Sequence, residues 1–227
     1  MIKHIFLDLD DTILDFHKAE TAAIEKTLAA FSIPVTEENK ALYSRINKEC
    51  WEALERGEIT RDALRLLRFS RFFEKIGATG CERAPAVYEG FLAQGHYFIE
   101  GAEALLRELY PKYKLYLATN GIAAVQAGRV ASAGIGKYFA ARFVSEEVGF
   151  NKPAREYFDA CFKKIEGFSR EEAVIVGDSL TSDIKGGAVA GIKTVWFNPK
   201  KKPIVGDICP DAEISDLGEL IGVLEKM

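Results

Sequence analysis

Short apolar runs recur along the chain, and nearly all of them end on a polar residue. His4-Ile5-Phe6-Leu7 runs into Asp8, and Lys114-Leu115-Tyr116-Leu117-Ala118 into Thr119. Ala141-Arg142-Phe143-Val144 meets Ser145, Ala173-Val174-Ile175-Val176 meets Gly177-Asp178, and Lys193-Thr194-Val195-Trp196-Phe197 meets Asn198. Runs this short predict strands covered on both faces of a parallel sheet. Helical periodicity separates the later four, over 122–133, 155–165 and 182–190, with Gly134 and Gly191 as stops. Strand and helix in alternation imply right-handed crossovers, and so an α/β fold with a doubly wound parallel sheet.

About a hundred residues separate the first run from the second, far more than the dozen or so that one crossover needs. Residues 16–95 read as helix almost throughout. Ile24, Leu28 and Phe31 form one apolar stripe, Leu42, Ile46, Cys50 and Ala53 a second, and Leu66, Phe69, Phe73 and Ile76 a third. Pro34, Gly57 and the stretch 77–80 punctuate them. The expected organisation is a Rossmann-like core of residues 1–15 and 96–227 carrying an inserted all-helical domain, 16–95.

Composition narrows the partners. With 48% apolar residues among 227, the chain has material for a real interior and is neither disordered nor a coiled coil. Thirty basic against 34 acidic residues leave a net charge of −4, with no excess to displace counterions from a nucleic-acid polymer. Cys50, Cys81, Cys161 and Cys209 form no CxxC pair and suggest neither zinc nor a disulfide framework. Asp8 and Asp10 interrupt the first apolar run too early for a signal-peptide core, and residues 115–128 are too few to span a bilayer. A soluble cytoplasmic protein without a membrane partner is expected.

In an open parallel sheet, ligands lie beyond the carboxyl ends of the strands, so the polar run ends should converge. Asp8, with Asp10 two residues on, and Asp178 would gather hard oxygen ligands that suit Mg²⁺ better than a soft metal. An ionised Asp8 could attack phosphorus in line, while Asp10 could protonate the leaving oxygen and then activate water. Thr119 and the amides around Asn120-Gly121 offer neutral donors to a phosphate, and Lys152 a cationic one. Each piece alone has a plainer reading. Asp-Leu-Asp-Asp-Thr is often a turn or helix cap, Lys152-Pro153 an exposed loop, and Ser179 to Asp183 an N-cap with first-turn acids. Their order, each at a strand end, favours catalysis.

Asp8-Leu9-Asp10-Asp11-Thr12, Thr119-Asn120, Lys152-Pro153 and Gly177-Asp178-Ser179-Leu180-Thr181-Ser182-Asp183 together resemble the motifs of the haloacid dehalogenase-like hydrolase superfamily, across the whole chain. The resemblance implies Asp8 as nucleophile, Asp10 as acid/base, Thr119 and Lys152 as phosphate clamps, and Asp178 as a magnesium ligand. Asp183 would orient Lys152 or metal-bound water, and the insertion would be the helical cap that closes over substrate. More narrowly, Thr119-Asn120-Gly121 with Gln126 and Arg129, Ser145-Glu146-Glu147-Val148-Gly149, and Trp196-Phe197-Asn198-Pro199 resemble the bacterial noncanonical pyrimidine 5′-nucleotidase branch. Asn47, Trp51, Gly57, Ile59 and Arg68-Phe69 agree with that branch. A small phosphorylated metabolite, a nucleoside 5′-monophosphate in particular, is the partner this implies.

In the cap, Asn47, Trp51 and Arg68 are the candidate substrate contacts. Tyr43, Asn47 and Trp51 share one helical face, which could equally widen the core stripe, and Arg61, Arg65 and Arg68 could form a solvated face. Competing functions are a sugar-phosphate or phosphoglycolate phosphatase, a sugar-phosphate mutase, a metal-free 2-haloacid dehalogenase, and a receiver-type phospho-aspartate binding module. Asp10 argues against the dehalogenase, because halide leaves carbon without an acid. The insertion argues against the receiver.

Overall fold

The computed structural model describes residues 1–204 and 206–227. The chain builds one six-stranded, wholly parallel sheet from β1 (His4–Leu7), β2 (Lys114–Thr119), β3 (Phe139–Val144), β4 (Ala173–Gly177), β5 (Lys193–Phe197) and β6 (Ala212–Ile214). Their order is β3-β2-β1-β4-β5-β6, so the chain reverses direction across the sheet beside β1. Four of the five expected strands begin where the apolar runs begin. β3 starts two residues earlier than its run, because its first half alternates between half-buried and exposed positions at the sheet edge. The three-residue β6 was not anticipated.

Between β1 and β2 lie α1 (Phe16–Ala30), α2 (Glu37–Glu55), α3 (Arg61–Ile76), α4 (Ala84–Leu92) and α5 (Ala102–Leu109). The first four pack on one another as the helical cap, around Ile24, Leu28, Tyr43, Ile46, Cys50, Leu64, Phe69, Phe72, Phe73 and Tyr88. Thr36 and Thr60 cap α2 and α3 by accepting backbone N–H groups, and Gly77 closes α3 in the left-handed conformation. The third stripe differs from expectation: Leu66 is exposed, and Leu64 and Phe72 join Phe69 and Phe73 in the interior. Arg68 replaces an apolar residue on that buried face.

After β2 follow α6 (Ala123–Ala133), α7 (Ser145–Val148), α8 (Arg155–Phe162), α9 (Lys185–Ala190) and α10 (Leu220–Leu224). Strand period sends Ile5 and Leu7 to one face, against α5 and α10, and Phe6 to the other, against α8. Phe6, Tyr116 and Phe143 stack across three neighbouring strands at 5.0–6.2 Å. Aromatic pairs of this kind contribute about 0.5–1.5 kcal/mol each beyond burial, which pins the register that aligns the catalytic strand ends. The region expected to be regular helix from 182 begins instead as one π-helical turn, Leu180–Ile184. Among the described residues, no helix is long and apolar enough to cross a membrane.

Candidate active site

Asp8 follows β1 directly and is 6% exposed; its backbone N–H donates to Val176 O on β4 at 3.0 Å. The next turn is tight: Ile13 and Leu14 N–H both donate to Leu9 O, and Asp11 takes a positive φ of 56°. A non-glycine residue adopts that left-handed backbone only when local bonds hold it. Here Asp11 Oδ1 accepts the Phe16 N–H at 2.9 Å, fixing the passage into the cap.

Lys152 is the hub of the Asp8 side. Its Nζ donates to Asp8 Oδ1 at 2.7 Å, Asp183 Oδ1 at 2.5 Å and Ala118 O at 2.7 Å, so each of its three N–H groups has a partner. Burial alone would push the Lys152 ammonium down, yet Asp183 and Asp8 hold it above its ordinary value. Asp183 sits in the π-helical turn, and its other oxygen accepts the Ser179 N–H at 3.1 Å. Gly177 makes that approach possible, since a Cβ there would lie 2.2 Å from Asp183 Oδ2. Asn120 locks the same loop: its Oδ1 accepts the Lys152 N–H and its Nδ2 donates to Lys152 O, each at 2.9 Å. Its side chain therefore braces the lysine, which leaves only backbone groups of Asn120 for a phosphate. The expected amide donor at Gly121 is also engaged, by Ser145 Oγ at 3.1 Å, and Glu146 caps the Ala123 N–H at 2.6 Å.

Asp8, Asp178 and Asp183 each place a carboxylate oxygen within 4.8 Å of the others. Burial, then the neighbouring Asp183 charge, raises Asp178 to about 7. Asp8 is likewise pushed up by burial and by the acids around it, against the pull of Lys152. Asp8 and Asp178 thus resist ionisation, and the three carboxylates together, all hard oxygen donors, fit a divalent cation such as Mg²⁺. Asp183 lies inside this cluster as well as on Lys152, where the motif reading placed it behind the ligands.

Asp10 points elsewhere. Its Oδ2 accepts from Gln126 Nε2 at 2.8 Å, and its Oδ1 pairs with Arg129, which is wholly buried. Gln126 Nε2 also donates to Thr119 Oγ1 at 2.8 Å. The motif reading quoted Gln126 and Arg129 but gave them no role. On this side a cavity of about 180 Å³ opens between cap and sheet, with apolar walls from Phe16, Trp51, Leu92, Ile122 and Val125 and polar ones from Asp10, Glu55, Arg68 and Asn120.

Of the cap candidates, Trp51 is half-buried and lines this cavity, whereas Asn47 lies inside the cap. Asn47 Nδ2 donates to Glu20 Oε1 at 2.7 Å, and its Oδ1 accepts from Arg68 at 3.2 Å. Arg68 is 1% exposed and pairs with Glu89 at 2.9 Å while reaching the cavity wall. The solvated-arginine reading therefore fails for Arg68. It fails for Arg61 too, whose guanidinium crosses from the cap to Gly121 O, Ser145 Oγ (2.9 Å) and Asn151 Oδ1 (2.5 Å). Local sequence carries no sign of this crossing, because the partners lie 60 to 90 residues away.

Comparison with known proteins gives the family. The chain is similar to the HAD-hydrolase YfnB of Bacillus subtilis, 43% identical over 97% of this chain and 94% of the relative. Its crystal structure, described as bound to magnesium and as revealing interdomain movement, superposes with a TM-score of 0.93 over 98% of each chain at 42% identity. Pyrimidine 5′-nucleotidase PynA of Streptococcus pneumoniae is 37% identical over 99% of this chain and 95% of its own length. Pyrimidine 5′-nucleotidase YjjG of Escherichia coli is 30% identical over 98% and 97%. The profile of the haloacid dehalogenase-like hydrolases matches residues 2–191, and this chain belongs to that family.

Proposed function

We propose that this hydrolase removes phosphate from nucleoside 5′-monophosphates, preferring pyrimidines, through an aspartyl-phosphate on Asp8. It is a phosphoric monoester hydrolase, with residues 16–95 as the cap that seats over the catalytic core of 1–15 and 96–227. The observation that carries the substrate reading is the cavity beside Asp10, where Phe16 and Trp51 supply flat apolar surface next to a few polar groups. Its 180 Å³ is below the ~300–1,000 Å³ usual for larger ligands, which suits a small planar group. The two pyrimidine nucleotidases at 30% and 37% identity support the same reading.

Asp8 Oδ2 attacks phosphorus as the ester bond breaks, and the electron pair leaves on the ester oxygen. Asp10 hands that oxygen a proton, then takes one from the water that hydrolyses the acyl phosphate. Lys152 and the Thr119 hydroxyl hold the phosphoryl oxygens, with Lys152 exchanging one of its present carboxylate or carbonyl bonds for phosphate. Asp8, Asp178 and the Asp10 backbone carbonyl would hold a magnesium ion, whose charge would offset that of the two anions that must meet. A wider cleft of about 620 Å³ opens at Asp178, lined also by His17, Lys18, Asn198, Lys200 and Lys202.

The test is kcat/KM for deoxyuridine, thymidine and purine 5′-monophosphates beside phosphoglycolate and hexose phosphates. Pyrimidine nucleotides should lead by at least tenfold. A lead of that size for phosphoglycolate or a sugar phosphate would overturn the substrate assignment and leave the core chemistry standing.

A further inference from the structure

Two side chains of a single helix hold Asp10 from behind. Gln126 and Arg129 lie three residues apart on the buried face of α6 and are 2% and 0% exposed. One takes Asp10 Oδ2 and the other Oδ1. Gly121 makes room for the first, since a Cβ there would lie 2.8 Å from Gln126 Cγ and Nε2. The same Gln126 amide group reaches Thr119 Oγ1 at 2.8 Å, so the phosphate clamp and the acid share one reference point.

Arg129 reaches further. Its Nε donates to Gly95 O at 3.2 Å, where the chain leaves the cap, and its guanidinium lies 5.7 Å from the Phe16 ring, where the chain enters. Among the described residues its Nη2 has no partner. A guanidinium is costly to bury, and a single stabilising ion pair seldom repays that desolvation. Position is the property this arrangement supplies.

We propose that Gln126 and Arg129 are positioning residues for Asp10: they aim its carboxyl at the leaving oxygen, and Arg129 ties that aim to the seating of the cap through Gly95 and Phe16. The proposal rests on the reading of Asp10 as acid/base. An aspartate free of such bonds samples several side-chain rotamers, whereas proton transfer requires about 2.6–3.2 Å to the leaving oxygen. Misplacement of a catalytic group by 1 Å can cost about a hundredfold in rate. In the step concerned, the P–O bond to Asp8 forms, the ester P–O bond breaks, and the proton moves from the Asp10 carboxyl to the departing oxygen.

A role confined to stitching cap to core would slow all substrates alike. Aiming the acid makes a distinct demand, because nitrophenolate departs without a proton and plain phenolate is helped by one. The experiment compares kcat/KM for p-nitrophenyl and unsubstituted phenyl phosphate with magnesium, in the parent, Gln126→Met, Arg129→Met, Arg129→Lys and Asp10→Asn. For these substrates kcat/KM reads phosphoryl transfer rather than the later hydrolysis of the phosphoenzyme.

The nitrophenyl-to-phenyl ratio should rise about tenfold in Gln126→Met and Arg129→Met, towards the larger rise in Asp10→Asn. Arg129→Lys keeps the charge without the planar fork and should restore the ratio only in part. A ratio within twofold of the parent in folded Gln126→Met overturns the proposal, however far both rates fall, and decides the matter alone if Arg129→Met does not fold. If Asp10→Asn also leaves the ratio unchanged, the acid role of Asp10 falls with it. If Asp10→Asn raises the ratio and the α6 variants do not, only the positioning role fails.

Discussion

Asp8 and Asp10 of the first motif are two residues apart yet live in different surroundings. Asp8 is enclosed, bonded to Lys152, with Asp178 and Asp183 close by; Asp8 and Asp178 follow strand ends, Lys152 lies in the loop after α7 and Asp183 in the π-helical turn. Asp10 is 26% exposed in its side chain, held by a helix, and faces a cavity whose walls the cap helps to build. Buried charges in mutual contact resist displacement, because moving one leaves another unpaired, so on the proposed mechanism the Asp8 side would be indifferent to the rest of the substrate. The Asp10 side is where the cap, and through it the leaving group, would enter the reaction. Chemistry and selectivity should therefore separate under mutation.

The sharpest separation is expected on the nucleophile side. Asp8→Asn should abolish turnover of every phosphate ester while the melting temperature stays near that of the parent, since the amide matches the carboxylate in shape but cannot attack. Measurable turnover above background would remove Asp8 as nucleophile. Lys152→Met should also silence the enzyme, and it should destabilise it, leaving Asp8 and Asp183 buried without their cation. Breaking such a buried pair costs about 3–5 kcal/mol, which for a chain of this size lowers Tm by roughly 6–20 °C. Calorimetry that found an unchanged Tm would contradict the enclosed charge hub.

Metal dependence is next in size. Excess EDTA should remove activity and Mg²⁺ restore it, with Ca²⁺ a poor substitute because its looser coordination can engage both oxygens of the attacking carboxylate. The sign of the pH effect follows from Asp178, raised to about 7 by burial and then by Asp183. Between the unfolded value of about 3.9 and about 7, the metal-free folded protein binds more protons than the unfolded chain. Its stability should accordingly fall as pH rises through that window, and Mg²⁺ should recover the loss. Equally, the Mg²⁺ concentration for half-maximal activity should climb as pH drops below about 7. Titrations at pH 5.5, 6.5 and 7.5 that gave one unchanging metal affinity would count against Asp178 as a ligand.

The smallest effects belong to the cap. Trp51→Ala should lower kcat/KM for pyrimidine nucleotides by about tenfold, the scale of a lost apolar contact of 1–3 kcal/mol in a pocket, and barely alter p-nitrophenyl phosphate. Arg68→Ala is a different experiment from the one its motif position suggests, because the side chain is buried against Glu89 and Asn47. A stability loss is expected from it first, so Trp51 is the better probe of base recognition.

The strands, and Asp8, Thr119 and Asp178 at their ends, were legible in the sequence because both follow from short-range pattern: an apolar run marks a buried strand, and the polar residue ending it must lie at the sheet rim, whereas Lys152 and Asp183 came into view only through the motif resemblance. β6 escaped because three residues carry too little periodicity to register. The acid side was only half legible. Asp10, Gln126 and Arg129 were all in view as letters, but the bonds that join them span 116 and 119 residues, and no local signal says which distant carboxylate a buried arginine meets. Arginines on amphipathic helices ordinarily face water. Arg61 and Arg68 face inward because Gly121 O, Asn151 and Glu89 are there to receive them, which only the packed cap provides. Leu66 erred in the opposite direction, an apolar residue one position off the true buried stripe.

The most direct test of the account is to quench the magnesium-loaded enzyme in acid during turnover of thymidine 5′-monophosphate and to map the trapped phosphoryl group by mass spectrometry of an acid-stable peptic digest. A phosphoryl adduct on Asp8 alone, lost in Asp8→Asn and enriched in Asp10→Asn when p-nitrophenyl phosphate is the donor, is the result predicted here. An adduct on another residue, or rapid turnover with no covalent intermediate at any quench time, would contradict it.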